Sequence, residues 1–151
     1  MTRAIDIIST IDIHRPAEDV WPFLVDWEHL DRWMKEASGF EVIGDQREGV
    51  GVEAVATIRI AGLRTRDRVR VSKWEPPVSL EIQHLGWVKG AGYMELAPAE
   101  DGCHVFWREE LHPPWGAFGR LGLRAFVPIM RDVFQRDLVL LKGLAEREEQ
   151  T

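Results

Sequence analysis

The chain has 151 residues, enough for one ordinary domain with a real core and too few for two, so a single domain over residues 1–151 is expected. A net charge of −6 argues against a nucleic-acid or anionic-membrane partner, because both reward clustered Lys and Arg. The lone cysteine, Cys103, allows no internal disulfide, and no apolar run approaches the roughly 20 residues of a membrane span, so a soluble, cytoplasmic protein without membrane insertion is expected.

Residues Ala4 to Ile13 alternate, with Ile5, Ile7, Ser9, Ile11 and Ile13 on one face, as in a half-buried strand. Pro16 with Glu18 and Asp19 then supplies a helix start. Val20, Trp21, Leu24 and Val25 form the apolar side of a short helix that Pro22 should kink or shorten. A second short helix is expected from Trp27 to Lys35, presenting Leu30, Trp33 and Met34.

After Ser38-Gly39 the apolar period becomes two and stays so to Leu111. Gly62-Leu63 can serve as a two-residue hairpin turn with glycine first, which pairs 61 with 64 and 58 with 67. That register turns Thr65, Asp67, Val69 and Val71 inward and sets Arg64, Arg66, Arg68 and Arg70 in an outer row. With Glu53 and Glu81 on neighbouring strands, the row reads as a solvated face with cross-strand ion pairs. Pro76-Pro77, the stretch from Gly86 to Gly90, and Asp101-Gly102 mark the later turns. From Phe118 to Glu149 the pattern is helical: Val127, Met130, Phe134, Leu138, Leu141 and Ala145 recur at steps of three and four. Asp137 interrupts this stripe and must be bonded, paired, protonated or turned toward a hollow.

The order is strand, two short helices, six antiparallel strands, long helix. It predicts an α+β fold in which a curved sheet of about seven strands wraps one long C-terminal helix and leaves a hollow between them.

Four stretches carry a family resemblance: Ile11-Asp12-Ile13-His14-Arg15-Pro16-Ala17-Glu18-Asp19-Val20-Trp21; Asp26 to Trp33; Val71-Ser72-Lys73-Trp74-Glu75-Pro76-Pro77; and Gly102-Cys103-His104-Val105-Phe106-Trp107. Arg136-Asp137-Leu138 to Leu141-Lys142 also fits. Together they resemble the START-like or SRPBCC superfamily, whose helix-grip fold is shared by the major birch pollen allergen and the START lipid-transfer domains. Within it the chain is most similar to the polyketide cyclase/dehydrase group. The resemblance implies binding of a hydrophobic small molecule, aromatic polyketide-like or lipid-like. It leaves open an enzyme for cyclisation or dehydration, a non-enzymatic carrier, and a protein-interaction module.

The inward face carries four ionisable residues, Asp67, His84, Glu109 and Asp137, more than a sealed apolar core tolerates. His84 and Glu109 are expected to flank the strand bearing Gly92, level with it and about 9.6 Å apart at the backbone. A ligand oxygen or water would fit between them, and a histidine beside a carboxylate suits general acid/base work. Hydrogen bonding to a ligand without chemistry and a purely structural role are the alternatives. Asp67 is expected near the mouth and wet. Trp107 and Met94 should form the inner wall, Met130 and Phe134 the helix side, and Trp33 and Trp115 the mouth. The five histidines lack metal-ligand spacing, and there is no phosphate loop or dinucleotide fingerprint, so no metal or cofactor is expected.

Overall fold

The structure, a computed structural model, describes residues 4–147. Strand β1 (Ile5–Ile13) leads into helix α1 (Ala17–Leu24) and a 3-10 helix (Trp27–Arg32). Six strands follow, β2 (Ala37–Ile43), β3 (Glu53–Ile60), β4 (Leu63–Glu75), β5 (Ser79–His84), β6 (Lys89–Ala99) and β7 (Gly102–His112), and then helix α2 (Gly116–Arg147). The sheet is antiparallel throughout, in the order β1-β7-β6-β5-β4-β3-β2. This is the expected helix-grip architecture.

Local sequence explains most boundaries. The alternation in β1 buries Ile5, Ile7, Ser9 and Ile13 while Asp6, Ile8 and Thr10 stay out. Helix α1 buries Val20, Trp21 and Leu24, and ends two residues past Pro22, which cannot donate to the preceding turn. The second short helix is tighter and shorter than the apolar spacing predicts: it stops at Arg32 and is kinked at His29.

The β3–β4 hairpin corrects one expectation. Its two-residue turn is Ala61-Gly62, with φ of 53° and 80°, so Ile60 pairs with Leu63 and Ala56 with Asp67. Two consecutive positive φ angles match the right-handed twist of the strands, a geometry that glycine at the second position eases. The pairing differs from the expected one by two residues, and because side chains alternate with a period of two, no residue changes face. Val69 and Val71 are buried, and Arg64, Arg66, Arg68 and Arg70 are exposed, with Arg68 paired to Glu53 at 3.0 Å.

Helix α2 begins two residues earlier than the periodicity suggests and runs through Pro128. Residues 148 and 149 of the expected span lie outside the described residues. The helix is seated chiefly on β1. Lys142 Nζ donates to Asp12 O at 2.8 Å and Gln135 Nε2 to Thr10 O at 3.1 Å. Near its end, Arg15 Nη1 donates to Ala145 O at 2.9 Å, giving a terminal carbonyl a cationic partner. Leu138 and Leu141 are fully buried and Ala145 nearly so, whereas no residue from Gly116 to Ile129 is buried. The last turns are therefore clamped in the core, and the first turns lie over the open part of the sheet. No helix among the described residues is long and apolar enough to cross a membrane.

Truncating the clamped part should be costly. Leu138→Ala is expected to lower unfolding free energy in chemical denaturation by about 2–5 kcal/mol, against about 0.5 kcal/mol or less for Val139→Ala on the exposed face of the same turn. Equal losses would contradict this seating of the helix.

Candidate functional site: an apolar cavity with an acidic wall

Between the concave sheet face and the first half of α2 lies a cavity of about 250 Å³. Its walls are mostly apolar: Leu80, Ile82 and Met94 from the sheet, Leu24 and Leu30 from the short helices, and Met130 and Phe134 from α2. Aromatic rings form a tilted and edge-to-face cluster in its wall. Trp107 lies 4.7 Å from Phe134 and 6.0 Å from Trp33, centroid to centroid.

One wall is polar. His84, the last residue of β5, is bonded on both sides: Nδ1 to Asp67 Oδ2 of β4 and Nε2 to Glu109 Oε2 of β7, each at 2.7 Å. Glu109 lies two strands away, with β6 between. It reaches across because β6 carries Gly92 at that level; a Cβ there would sit 2.7 Å from Glu109 Oε1. The remaining oxygens have partners as well. Trp107 Nε1 donates to Glu109 Oε1 at 2.9 Å, and the Gly86 amide donates to Asp67 Oδ1 at 3.2 Å.

The electrostatics follow from this geometry. Burial disfavours a charged imidazole, but the Glu109 charge and the hydrogen bonds and charge of the two carboxylates outweigh it and raise the His84 pKa to about 10. His84 is thus an imidazolium donating from both nitrogens. The carboxylates outnumber it two to one, so the wall keeps an uncompensated negative charge.

A second acid pair lies where the loop into β2 meets α2. Asp137 is fully buried and Glu36 nearly so. Asp137 Oδ1 accepts from the Lys35 amide at 3.3 Å, with the exposed Arg136 guanidinium 3.6 Å away. Glu36 Oε1 and Asp137 Oδ2 are buried with no donor of their own. Burial pushes both carboxyls above their usual range, and the bond between them raises Glu36 further. A proton held between two buried carboxyls is the usual resolution of like charges in low dielectric.

The expected site residues now have places. His84, Glu109, Asp67, Gly92, Met94, Trp107, Trp33, Met130 and Phe134 all line the cavity. Five placements differ from expectation. His84 is not level with Glu109 but two residues further along, opposite Gly90 and Leu111, and the space between the two is closed by their direct bond. Asp67 is not a wet rim residue; its carboxylate is mostly buried against His84. Asp137 does not line the cavity, because Glu36 stands there while Asp137 is held by the Lys35 amide behind it. Trp115 is 71% exposed and also off the lining. The chain turns through left-handed φ at Trp115 and at Gly116, the first residue of α2, and the indole rests edge-on against Trp87, 5.3 Å between centroids. Trp33 is buried wall rather than mouth, its indole donating to Phe23 O at 3.1 Å. The exposed aromatic of the lining is Trp87.

Glu36 and Trp87 escaped the sequence reading. Both stand at junctions, Glu36 between the 3-10 helix and β2 and Trp87 in the β5–β6 loop, where neither helical nor strand periodicity assigns a face. Cys103 is fully buried in the core, and burial raises its thiol pKa. Among the described residues no group of three or more His, Cys, Asp or Glu side chains is arranged to hold a metal ion.

A curved antiparallel sheet closed by one long helix over an apolar cavity defines a class of proteins that enclose hydrophobic small molecules. The chain belongs to the family of polyketide cyclase / dehydrase and lipid transport proteins, whose model matches residues 4–146. An uncharacterized Mycobacterium tuberculosis protein, Rv1546 of strain H37Rv, is 28% identical over 124 residues, spanning 81% of this chain and 86% of the relative. TTHA0849 from Thermus thermophilus has the same fold, with a TM-score of 0.78 at 19% identity over 95% of this chain and 99% of that one. The Zhui aromatase/cyclase from Streptomyces sp. R1128 superposes with a TM-score of 0.80 at 14% identity, covering 95% and 94% of the two chains.

Two measurements probe the acidic wall. A histidine whose pKa is raised on folding stabilises fully below its unfolded value of about 6.5 and loses that contribution as pH climbs through the native value. A carboxyl raised on folding, as Glu36 is, likewise binds its proton more tightly in the folded state, so stability drops as pH rises above the ordinary carboxyl range of about 4.3. Stability is therefore expected to decline from mildly acidic pH toward pH 10, and Glu36→Gln, which donates to Asp137 without needing a proton, should flatten the first part of that decline. A denaturation series that rises through this range would contradict both assignments. Gly92→Ala should push Glu109 away and lower the His84 pKa, read from imidazole NMR shifts; an unchanged titration would show that the glycine does not hold the contact open.

Proposed function

We propose that the protein binds a hydrophobic small molecule, aromatic polyketide-like or lipid-like, between the sheet and α2, and that it carries this molecule rather than converting it through His84. The observation that supports this reading is the engagement of both His84 ring nitrogens at 2.7 Å. A general base must take a proton near the working pH and a general acid must give one up. An imidazolium held between two carboxylates, with its pKa raised to about 10, does neither readily. The triad then serves as a fixed polar anchor at one side of an apolar hollow, orienting the ligand while the aromatic cluster contacts its body.

A second reading, cyclisation or dehydration of a polyketide-like chain, is favoured by the likeness of the fold to an aromatase/cyclase. In that case His84 would release one carboxylate to polarise a substrate carbonyl, and the freed carboxylate would take the proton from the adjacent carbon.

Native mass spectrometry of protein purified from its own host should reveal an apolar molecule that is lost on denaturation. A chain that is always empty, and that takes up no hydrophobic compound offered to it, would overturn both readings. Under the carrier reading, His84→Asn and Glu109→Gln weaken binding of that molecule and the wild type leaves it chemically unchanged. If the wild type consumes it and the variants bind without turnover, the enzymatic reading replaces the first.

A further inference from the structure

The cavity has a hydrogen-bonding sense as well as a shape. Its charged and titratable lining residues are Glu36, Asp67, His84 and Glu109; no Lys or Arg among the described residues lines it. The ring N–H donors of the lining are all committed within the protein. Trp33 donates to Phe23 O, Trp87 to Thr65 Oγ1, Trp107 to Glu109 Oε1, and His84 to both carboxylates. Glu36 is hydrogen-bonded to Asp137, and the Thr65 hydroxyl, which accepts from Trp87, is the one lining O–H donor left over among the described residues. Acceptors, in contrast, have capacity to spare. A carboxylate offers about four lone-pair sites, and Asp67 and Glu109 each use two, one per oxygen.

We infer that the cavity selects its ligand by this imbalance: it takes an apolar body that presents hydrogen-bond donors, a hydroxyl or a protonated amine, to Asp67 and Glu109, and rejects apolar carboxylates such as fatty acids. The inference rests on the reading of the cavity as a ligand site and deepens it. An anion entering the cavity would give up its hydration, find no cation but the His84 imidazolium already held between two carboxylates and no free donor but the Thr65 hydroxyl, and face a wall already one negative charge in excess. A hydroxyl or ammonium group would instead complete the carboxylates' hydrogen bonding, and an ammonium would also cancel the excess charge. The edge-to-face and tilted cluster of Trp33, Trp107 and Phe134 gives an aromatic wall for a ring body and adds attraction for a cation near an exposed ring face.

A matched series separates the outcomes: isothermal titration of the whole chain at pH 7 with 2-naphthol, 2-naphthylmethylamine and 2-naphthoate, which share one ring system and differ in the polar group. The phenol and the amine should each bind at least about tenfold more tightly than the carboxylate, a difference of about 1.4 kcal/mol. In Glu109→Gln, and in Asp67→Asn with Glu109→Gln, the preference should shrink toward parity, with circular dichroism checking that each variant is folded. The single variant keeps an acceptor for the Trp107 indole and serves if the double variant does not fold. Equal or tighter binding of naphthoate, or a preference unchanged in the folded variants, overturns the selectivity while leaving the cavity as a binding site. Failure of all three compounds to bind overturns the cavity reading and this inference with it.

Discussion

Helix α2 can bury its apolar stripe over only part of its length. Its last turns meet β1 and the core closely, with Leu138, Leu141 and Ala145 withdrawn from water. Its first turns cross the concave face where the sheet curves away, and nothing from Gly116 to Ile129 is buried. A helix held at one end over a curved surface cannot be in contact everywhere, and the unfilled space is the cavity. Met130 and Phe134 mark the change from clamp to roof, since they are buried and also line the hollow.

Placing acids beside such a hollow demands compensation, and the chain uses two different kinds. At the sheet wall, a histidine is inserted between Asp67 and Glu109 and converted to a cation by their charges. At the helix wall no cation is inserted, and Glu36 and Asp137 share a proton instead. Each solution depends on close approach. The first requires a strand position without a side chain, Gly92, so that Glu109 can reach past β6. The second requires the Lys35 amide to meet Asp137 from the segment preceding β2. The pairings leave a cavity rich in acceptors and poor in donors, and this asymmetry links the packing of the fold to the kind of molecule it can hold.

The outer sheet face shows the contrasting case. The arginine row of β4 stands in water, pairs with Glu53 across the sheet and takes no part in the cavity. Such exposed pairs contribute little to stability, and four cations in a row on a strand need no ligand to explain them. Basic side chains thus lie on the outside of this sheet, and uncompensated acid lies within.

Periodicity in the chain determined which residues face inward, because alternation along a strand and the three-to-four spacing along a helix are local properties of the backbone. The inward placement of His84, Glu109, Asp67 and Trp107 was therefore readable, and it survived a two-residue error in the β3–β4 register because the face repeats every second residue. Distances between elements were not readable. Whether His84 stands level with Glu109 or one diagonal step away depends on the pairing of three strands, and only the folded sheet brings the two into direct contact. Asp137 was visible as an anomaly in the helix stripe, but its partner Glu36 lies a hundred and one residues earlier at a junction with no period of its own. What the sequence by itself determined was the architecture and the composition of the inner face. Tertiary structure decided how the charges there neutralise one another, since that depends on hydrogen bonds between segments remote in the chain.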